Sequence, residues 1–346
     1  MGALKKESEL NRLFQKEVYT PGDKARMLAL MESLGIRKSD TGEFVLLRKI
    51  RGQLIKRKKD GTAEIVASGR SAWVGWAELR MAHVNEIAIQ NTGRVIRDVQ
   101  ADVLAVIEAE HRVALAQFSD LVLEQVQGTP YAQVMLIDGN DERGIDVGLM
   151  TRSGYAIGQM RSHIYDLNDD RTPIFSRDCP EYCVETPSGL RIWVLPNHFK
   201  SKYGGNDVRS RERRAGQAKR TAEIYQRLIG DGQPNVVVLG DLNDTPQSAE
   251  LTSLLVDTDL RDVSQHPSFD PGVFPGIGTF GLGNDKVKID YLLLSPDLFT
   301  QVTAAGLFRM GAWPGKRPGR WPVYNELVEP VHAASDHHVI WCDIDV

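Results

Sequence analysis

Residues able to bind a cation or move a proton recur at the ends of apolar runs in this 346-residue chain. The run 103–107 leads into Glu108. The run 192–195 leads into Asn197 and His198, and 236–239 leads into Gly240 and Asp241, with Asn243 two residues on. Asp290 opens the run 290–294, and Asp336-His337 stand just before 339–341. One such case would mark only a solvated strand end. Two histidines and four carboxylates, repeated in this way, can converge on one rim of a sheet. There the oxygens would suit a hard divalent cation, while the imidazoles stay free for proton transfer. Other chemistries lack their motifs. There is no Gly-x-Ser-x-Gly elbow and no Gly-x-x-x-x-Gly-Lys-Ser/Thr loop. Cys179 and Cys183 are not followed by a second Cys/His pair at zinc-like spacing, so with Cys342 they read as ordinary thiols of a reducing compartment.

The elements that must position these residues are legible in outline. Thr20, Pro21 and Asp23 start a helix over 20–34, with Gly35 able to end it. Apolar runs near 44–47, 53–55, 64–66 and 73–76 read as strands, with a hairpin turn at Asp60-Gly61. A helix is expected over 92–100 and a long amphipathic one over 209–229. Further strands fall at 103–107, 134–137, 147–150, 192–195, 236–239, 289–294 and 339–341. Many strands with few helices predict stacked sheets flanked by helices.

Apolar residues make up 42% and charged residues 25%, as in folded globular chains. The balance of 42 basic and 46 acidic residues, 42 − 46 = −4, does not mark a nucleic-acid coat protein and leaves room for a local basic surface. No apolar run reaches the roughly 18 residues of a membrane span. With no signal peptide near Met1, the sequence reads as cytoplasmic. It reads as one domain over 1–346, with a β-rich insertion at about 36–90.

The segments Ala101-Asp102-Val103-Leu104-Ala105-Val106-Ile107-Glu108, Asn197-His198-Phe199-Lys200-Ser201-Lys202, Gly240-Asp241-Leu242-Asn243-Asp244, Ile289-Asp290-Tyr291 and Ser335-Asp336-His337 resemble, in order, motifs of the endonuclease/exonuclease/phosphatase superfamily. The resemblance covers about 101–346. It implies a four-layer α/β/β/α sandwich of two packed mixed β-sheets. It also implies metal-dependent attack of water on a phosphoester, with Mg²⁺ or Mn²⁺ as cofactor. Glu108 would bind the metal, with Asp336 beside it. Asp241 would orient or deprotonate the water, and Asn243 would hold phosphate or water. His337 would donate to a phosphate oxygen, held in its tautomer by Asp290. His198 would stabilise charge on phosphorus or assist the leaving group, oriented by Asp146. Arg143, Asn197 and Lys200 would contact substrate.

That substrate would be a nucleic acid or another phosphodiester; an inositol phosphate, a phospholipid head group and a non-catalytic binding role are the alternatives. No protein partner is indicated. Lys202, Lys219 and Arg220 offer a phosphate-binding surface. Trp313, Lys316, Arg317, Arg320 and Trp321 form a basic, aromatic loop suited to nucleic acid, or else a solvated loop over packed tryptophans. Arg211, Arg213 and Arg214 read as the exposed start of the long helix. One departure stands out: the resemblance implies a first strand bearing an Asn ligand ahead of Glu108. Asn11, Asn85 and Asn91 do not follow an apolar strand. The expectation is a chain truncated at its N-terminus, or another residue in that role.

Overall fold

The computed structural model describes residues 3–42, 45–58, 60–79, 85–141, 143–202, 207–316 and 319–346. Two compact units emerge, Met1–Val84 and Asn85–Val346. The smaller unit has a core of its own. Helices α1 (Ala3–Phe14) and α2 (Pro21–Ser33) share a core with strands β1 (Val45–Gly52), β2 (Ile55–Arg57), β3 (Ala63–Ile65) and β4 (Trp73–Leu79). Leu10, Phe14, Met27 and Met31 bury themselves against Val45, Ile65 and Trp73. Each such side chain contributes about 1.5–3 kcal/mol when removed from water, so these residues sustain their own core. The helix expected over 20–34 is present. Its capping box closes as Asp23 N–H donates to the Thr20 hydroxyl at 3.2 Å and Thr20 N–H donates to Asp23 at 3.0 Å. The Asp60-Gly61 hairpin joins β2 to β3, with Ile55 opposite Ile65.

The larger unit is built in four layers, as the fold expectation has it. Its central sheet has the order β12-β14-β11-β10-β9-β8. These strands are β8 (Ala156–Arg161), β9 (Glu181–Glu185), β10 (Arg191–His198), β11 (Val236–Asp241), β12 (Arg261–Asp262) and β14 (Asp290–Leu294). Period-two alternation decides what each face meets. Trp193, Leu195, Val236, Val238 and Leu293 point to helix α6 (Val208–Gly230) and pack on Ala218, Ala222, Tyr225 and Leu228. Val194, Val237, Leu239 and Leu292 point the other way, into the space between sheets.

The second β layer is split. One half is β5-β7-β6, from β5 (Val103–Ala109), β6 (Gln133–Leu136) and β7 (Asp146–Thr151). The other is β13-β15-β16, from β13 (Phe269–Asp270), β15 (Val302–Phe308) and β16 (Val339–Ile344). Helices α3 (Glu86–Val99), α4 (Arg112–Gln117) and α5 (Leu123–Gln125) cover the outer face of the first half through Ile96, Leu115 and Leu123. Short helices α7 (Thr252–Leu255) and α8 (Pro296–Thr300) complete the chain. Among the described residues no helix is long and apolar enough to cross a membrane.

Candidate active site

β11 is the axis of the site. It runs parallel to β10, with His198 aligned on Asp241, and antiparallel to β14, with Asp241 aligned on Asp290. All three residues fall on the inter-sheet face, in one row across three strands. Gly240 makes the close approach to β10 possible. It has φ +123°, and a Cβ there would lie 2.0 Å from the Asn197 carbonyl oxygen. Beyond Asp241 the chain turns through Asn243, which takes the left-handed conformation at φ 54° that asparagine tolerates. From there its backbone N–H donates to one Asp241 oxygen at 2.8 Å and its side-chain amide to the other at 2.8 Å. The Gly-Asp-Leu-Asn stretch thus fixes the orientation of one carboxylate.

His337 arrives from the loop before β16, held by a β-bridge to Phe280 and an edge-on ring contact at 4.9 Å. Its Nδ1 lies 2.9 and 3.0 Å from the two oxygens of Asp290. Burial opposes charge on this ring, but the bonded Asp290, with Asp241 and Asp336, outweighs it and raises the pKa to about 9. Asp241 is pushed up, first by burial and then by repulsion from Asp290. Ligand atoms of Asp241, Asp290 and His337 lie within 4.8 Å of one another. A buried carboxylate under repulsion from a second, beside a third oxygen donor set at Glu108, is a donor group that fits a hard cation.

The other wall is basic. Arg177 is buried and pairs with Asp141 at 3.0 Å, which also accepts three bonds from Arg143, one of them from its backbone N–H, at 2.9–3.0 Å. A guanidinium nitrogen of Arg177 stands 3.4 Å from His198 Nε2. The same Nε2 lies 3.5 Å from Asp241 and 3.9 Å from Glu108. Burial first, then the charges of Arg177 and Arg143, lower His198 to about 2, so it is neutral. Glu108 occupies a bulge in β5, where Ile107 faces Val147 and Ala109 faces Asp146. With φ 66° its side chain leaves the ladder and is 61% exposed.

Several expected site residues lie elsewhere. Asp146 accepts from the Gly139 N–H at 2.8 Å, and His198 Nδ1 has no hydrogen-bond partner among the described residues, so the Asp146–His198 pair is not formed. Asn197 alternates to the α6 side, buried, where its oxygen accepts from Thr221 at 3.2 Å. Lys200 packs beside α6, its backbone N–H donating to Gln217. Asp336 is exposed at the rim and stands outside the tight Asp241–Asp290–His337 group, as does Glu108. Arg214 is fully buried, not exposed, and pairs with Asp244, as does Lys202. Arg220 pairs with Asp166. Trp321 is packed under its loop against Phe274 and His338, and Arg320 donates to the Leu282 carbonyl; Arg317 lies outside the described residues. Asn85 caps α3 and Asn91 bonds the His332 carbonyl, so both are engaged away from the Asp241–Asp290–His337 group; in the smaller unit Asn11 bonds Ala77. Arg177 was not legible in advance. It ends no apolar run, and only its place in a fully buried stretch, 175–179, sets it apart.

Comparison with known proteins agrees with this architecture. Similar folds include a mannosyl-6-phosphatase of Bacteroides thetaiotaomicron (TM-score 0.53, 14% identity, 75% of this chain and 91% of that one). An endonuclease/exonuclease/phosphatase of Bacteroides vulgatus is similar too (0.51, 16%, 75% and 91%). So is the human Nocturnin catalytic domain with bound sulfate (0.51, 16%, 75% and 86%). At these identities the likeness concerns the fold alone. No curated protein sequence matches the chain significantly. The sequence model of the Endonuclease/Exonuclease/phosphatase family matches residues 62–309, well over half the chain, and the chain belongs to that family.

Proposed function

We propose that this member of a family of phosphoester hydrolases cleaves phosphodiester bonds with Mg²⁺, or Mn²⁺, as cofactor. The observation that carries this reading is the row His198–Asp241–Asp290, with His337 bonded to Asp290 and Arg177 beside His198. A phosphodiester is anionic and resists an anionic nucleophile, so charge on its oxygens must be neutralised while a base takes the water's proton. Asp241 is the base: both its oxygens are held by Asn243, and its raised pKa favours proton acceptance. His337, kept protonated by Asp290, donates to a phosphate oxygen. His198 is a neutral hydrogen-bonding group, and the permanent charge comes from Arg177 and Arg143. Glu108 and Asp290 supply the oxygens that would hold the cation, with Asp336 at the rim. When bound, it polarises a phosphoryl oxygen and offsets its charge.

A small phosphoester is a second reading. It is favoured by the pairing of Lys202, Arg214 and Arg220 and by the burial of Trp321, which reduce the basic, aromatic surface available to a polynucleotide. A hydrolysis panel decides. Plasmid DNA, single-stranded DNA, RNA, a generic phosphodiester and a sugar phosphate are each incubated with Mg²⁺, Mn²⁺ or EDTA. Cleavage of a diester that EDTA abolishes is expected, and Glu108→Gln should need more Mg²⁺ for the same rate. No cleavage of any substrate with either metal would exclude the assignment.

A further inference from the structure

The two units differ sharply in charge. Residues 1–84 hold 17 basic and 10 acidic side chains, 17 − 10 = +7, so the rest of a chain of net charge −4 carries −4 − 7 = −11. The excess is concentrated, because positions 48–59 contain seven basic residues and no acidic one. Segregation of sign on this scale suits a polyanionic partner. Arg48 pairs with Glu78 and Arg57 with Asp40. Lys49, Arg51, Lys56 and Lys58 are exposed, and no carboxylate pairs with them among the described residues.

The ribbon of β1 and β4 gives this charge a shape. One face turns to the core of the smaller unit through Val45, Trp73 and Ala77. On the other face Arg48 stands directly opposite Trp76, and Arg51 stands opposite Val74. Strict alternation would send positions 48 and 51 to opposite faces. The register shift between Lys49 and Arg51 adds one residue and returns Arg51 to the face of Arg48. Trp76 is 41% exposed there, with one arginine across from it and a second on the diagonal, whereas Trp73 is buried.

We propose that the outer face of the β1–β4 ribbon binds single-stranded nucleic acid, with an unpaired base stacked on Trp76 and the neighbouring phosphates on Arg48 and Arg51. The two chemistries of the face match the two parts of a nucleotide. Guanidinium groups neutralise phosphate oxygens and release their counterions. An exposed indole offers a flat π-face on which any base can stack. The bases of a duplex are already stacked on one another, so the unpaired strand is the better occupant. A lipid surface fits less well. There an apolar face must sink among acyl chains, and here Arg48, Arg51 and Glu78 surround the indole.

Fluorescence anisotropy on the full chain, with a labelled oligothymidylate of about 20 nucleotides, tests this. EDTA is present throughout, so metal-dependent cleavage is off and the result is independent of the activity proposed for the larger unit. Binding that weakens as salt rises is expected. Trp76→Ala should bind at least about fivefold more weakly, and Trp76→Phe, which keeps a ring, should recover most of that loss. Arg51→Gln should make the slope of log affinity against log salt shallower by about 0.7, the share of one phosphate on a single strand. Both positions are exposed, so urea unfolding should be unchanged in each variant. The proposal is overturned if the oligonucleotide does not bind, if Trp76→Ala binds it as the parent does, or if a duplex of the same length binds as tightly as the single strand. Binding to anionic phospholipid vesicles without binding to the oligonucleotide would assign the face to a membrane and overturn it as well.

Discussion

Asp241 and Asp290 face each other across the antiparallel pair β11–β14, and the imidazole of His337 closes the far side of Asp290 at 2.9 Å. Two carboxylates directly opposite on neighbouring strands repel. This pair tolerates the repulsion because Asp290 is bonded to a cationic ring and Asp241 accepts from Asn243. The arrangement separates the two acids: one holds a charged acid in place, and the other becomes a stronger base.

The His337 imidazole should titrate near pH 9 in metal-free protein, followed by NMR. The sign follows from the raised value. Stability from the His337–Asp290 pair is full below the free imidazole pKa of 6.5 and is lost as pH rises through about 9. Asp290→Asn removes the main partner and should bring the midpoint down by more than one unit. An unchanged midpoint in that variant would show that the pair does not set it.

His198 should show no titration between pH 5 and 9, because burial and Arg177 both disfavour its charged form. In Arg177→Met the nearest cation is gone, so the ring's pKa should rise while burial still keeps it below 6.5. The same variant should lose about 10²-fold in turnover, the scale of one charge-stabilising donor. A wild-type His198 signal moving with a midpoint near 6.5 would contradict the neutral assignment.

In the proposed mechanism His337→Ala and Asp241→Asn each remove a group needed chiefly in the transition state. Turnover should fall by at least about 10², and His337→Ala should also unfold at a lower temperature below about pH 9, where its pair with Asp290 contributes stability. Near-wild-type rates for both purified variants would sink the proposed roles.

Gly240→Ala places a Cβ 2.0 Å from the Asn197 carbonyl at a left-handed φ of +123°. Strain and overpacking together should cost about 2–4 kcal/mol, read by urea unfolding. A shift of less than half a kcal/mol would mean that β10 and β11 can move apart there.

Much of the candidate site was legible in the sequence. Glu108, His198, Asp241, Asp290 and His337 are found by one simple feature, a polar residue closing or opening an apolar run. Period-two alternation then puts Asp241 and Asp290 on the same face as Val237 and Leu292. The same alternation assigns Asn197 to the opposite face with Trp193 and Leu195, and a motif matched as a block hides that difference. What local pattern could not supply were relations between distant segments. Arg177 reaches His198 from 21 residues away because the stretch before β9 folds back over β10. Asp146 bonds Gly139 in preference to His198, and Arg214 is buried by a partner 30 residues on. The division at Val84 likewise depends on α1 and α2 burying themselves against β1–β4. Hydrophobic periodicity is a property of neighbours along the chain, and sequence determines it directly. Ion pairing, burial of charge and the split of a sheet depend on which surfaces meet, and only the tertiary structure decides that.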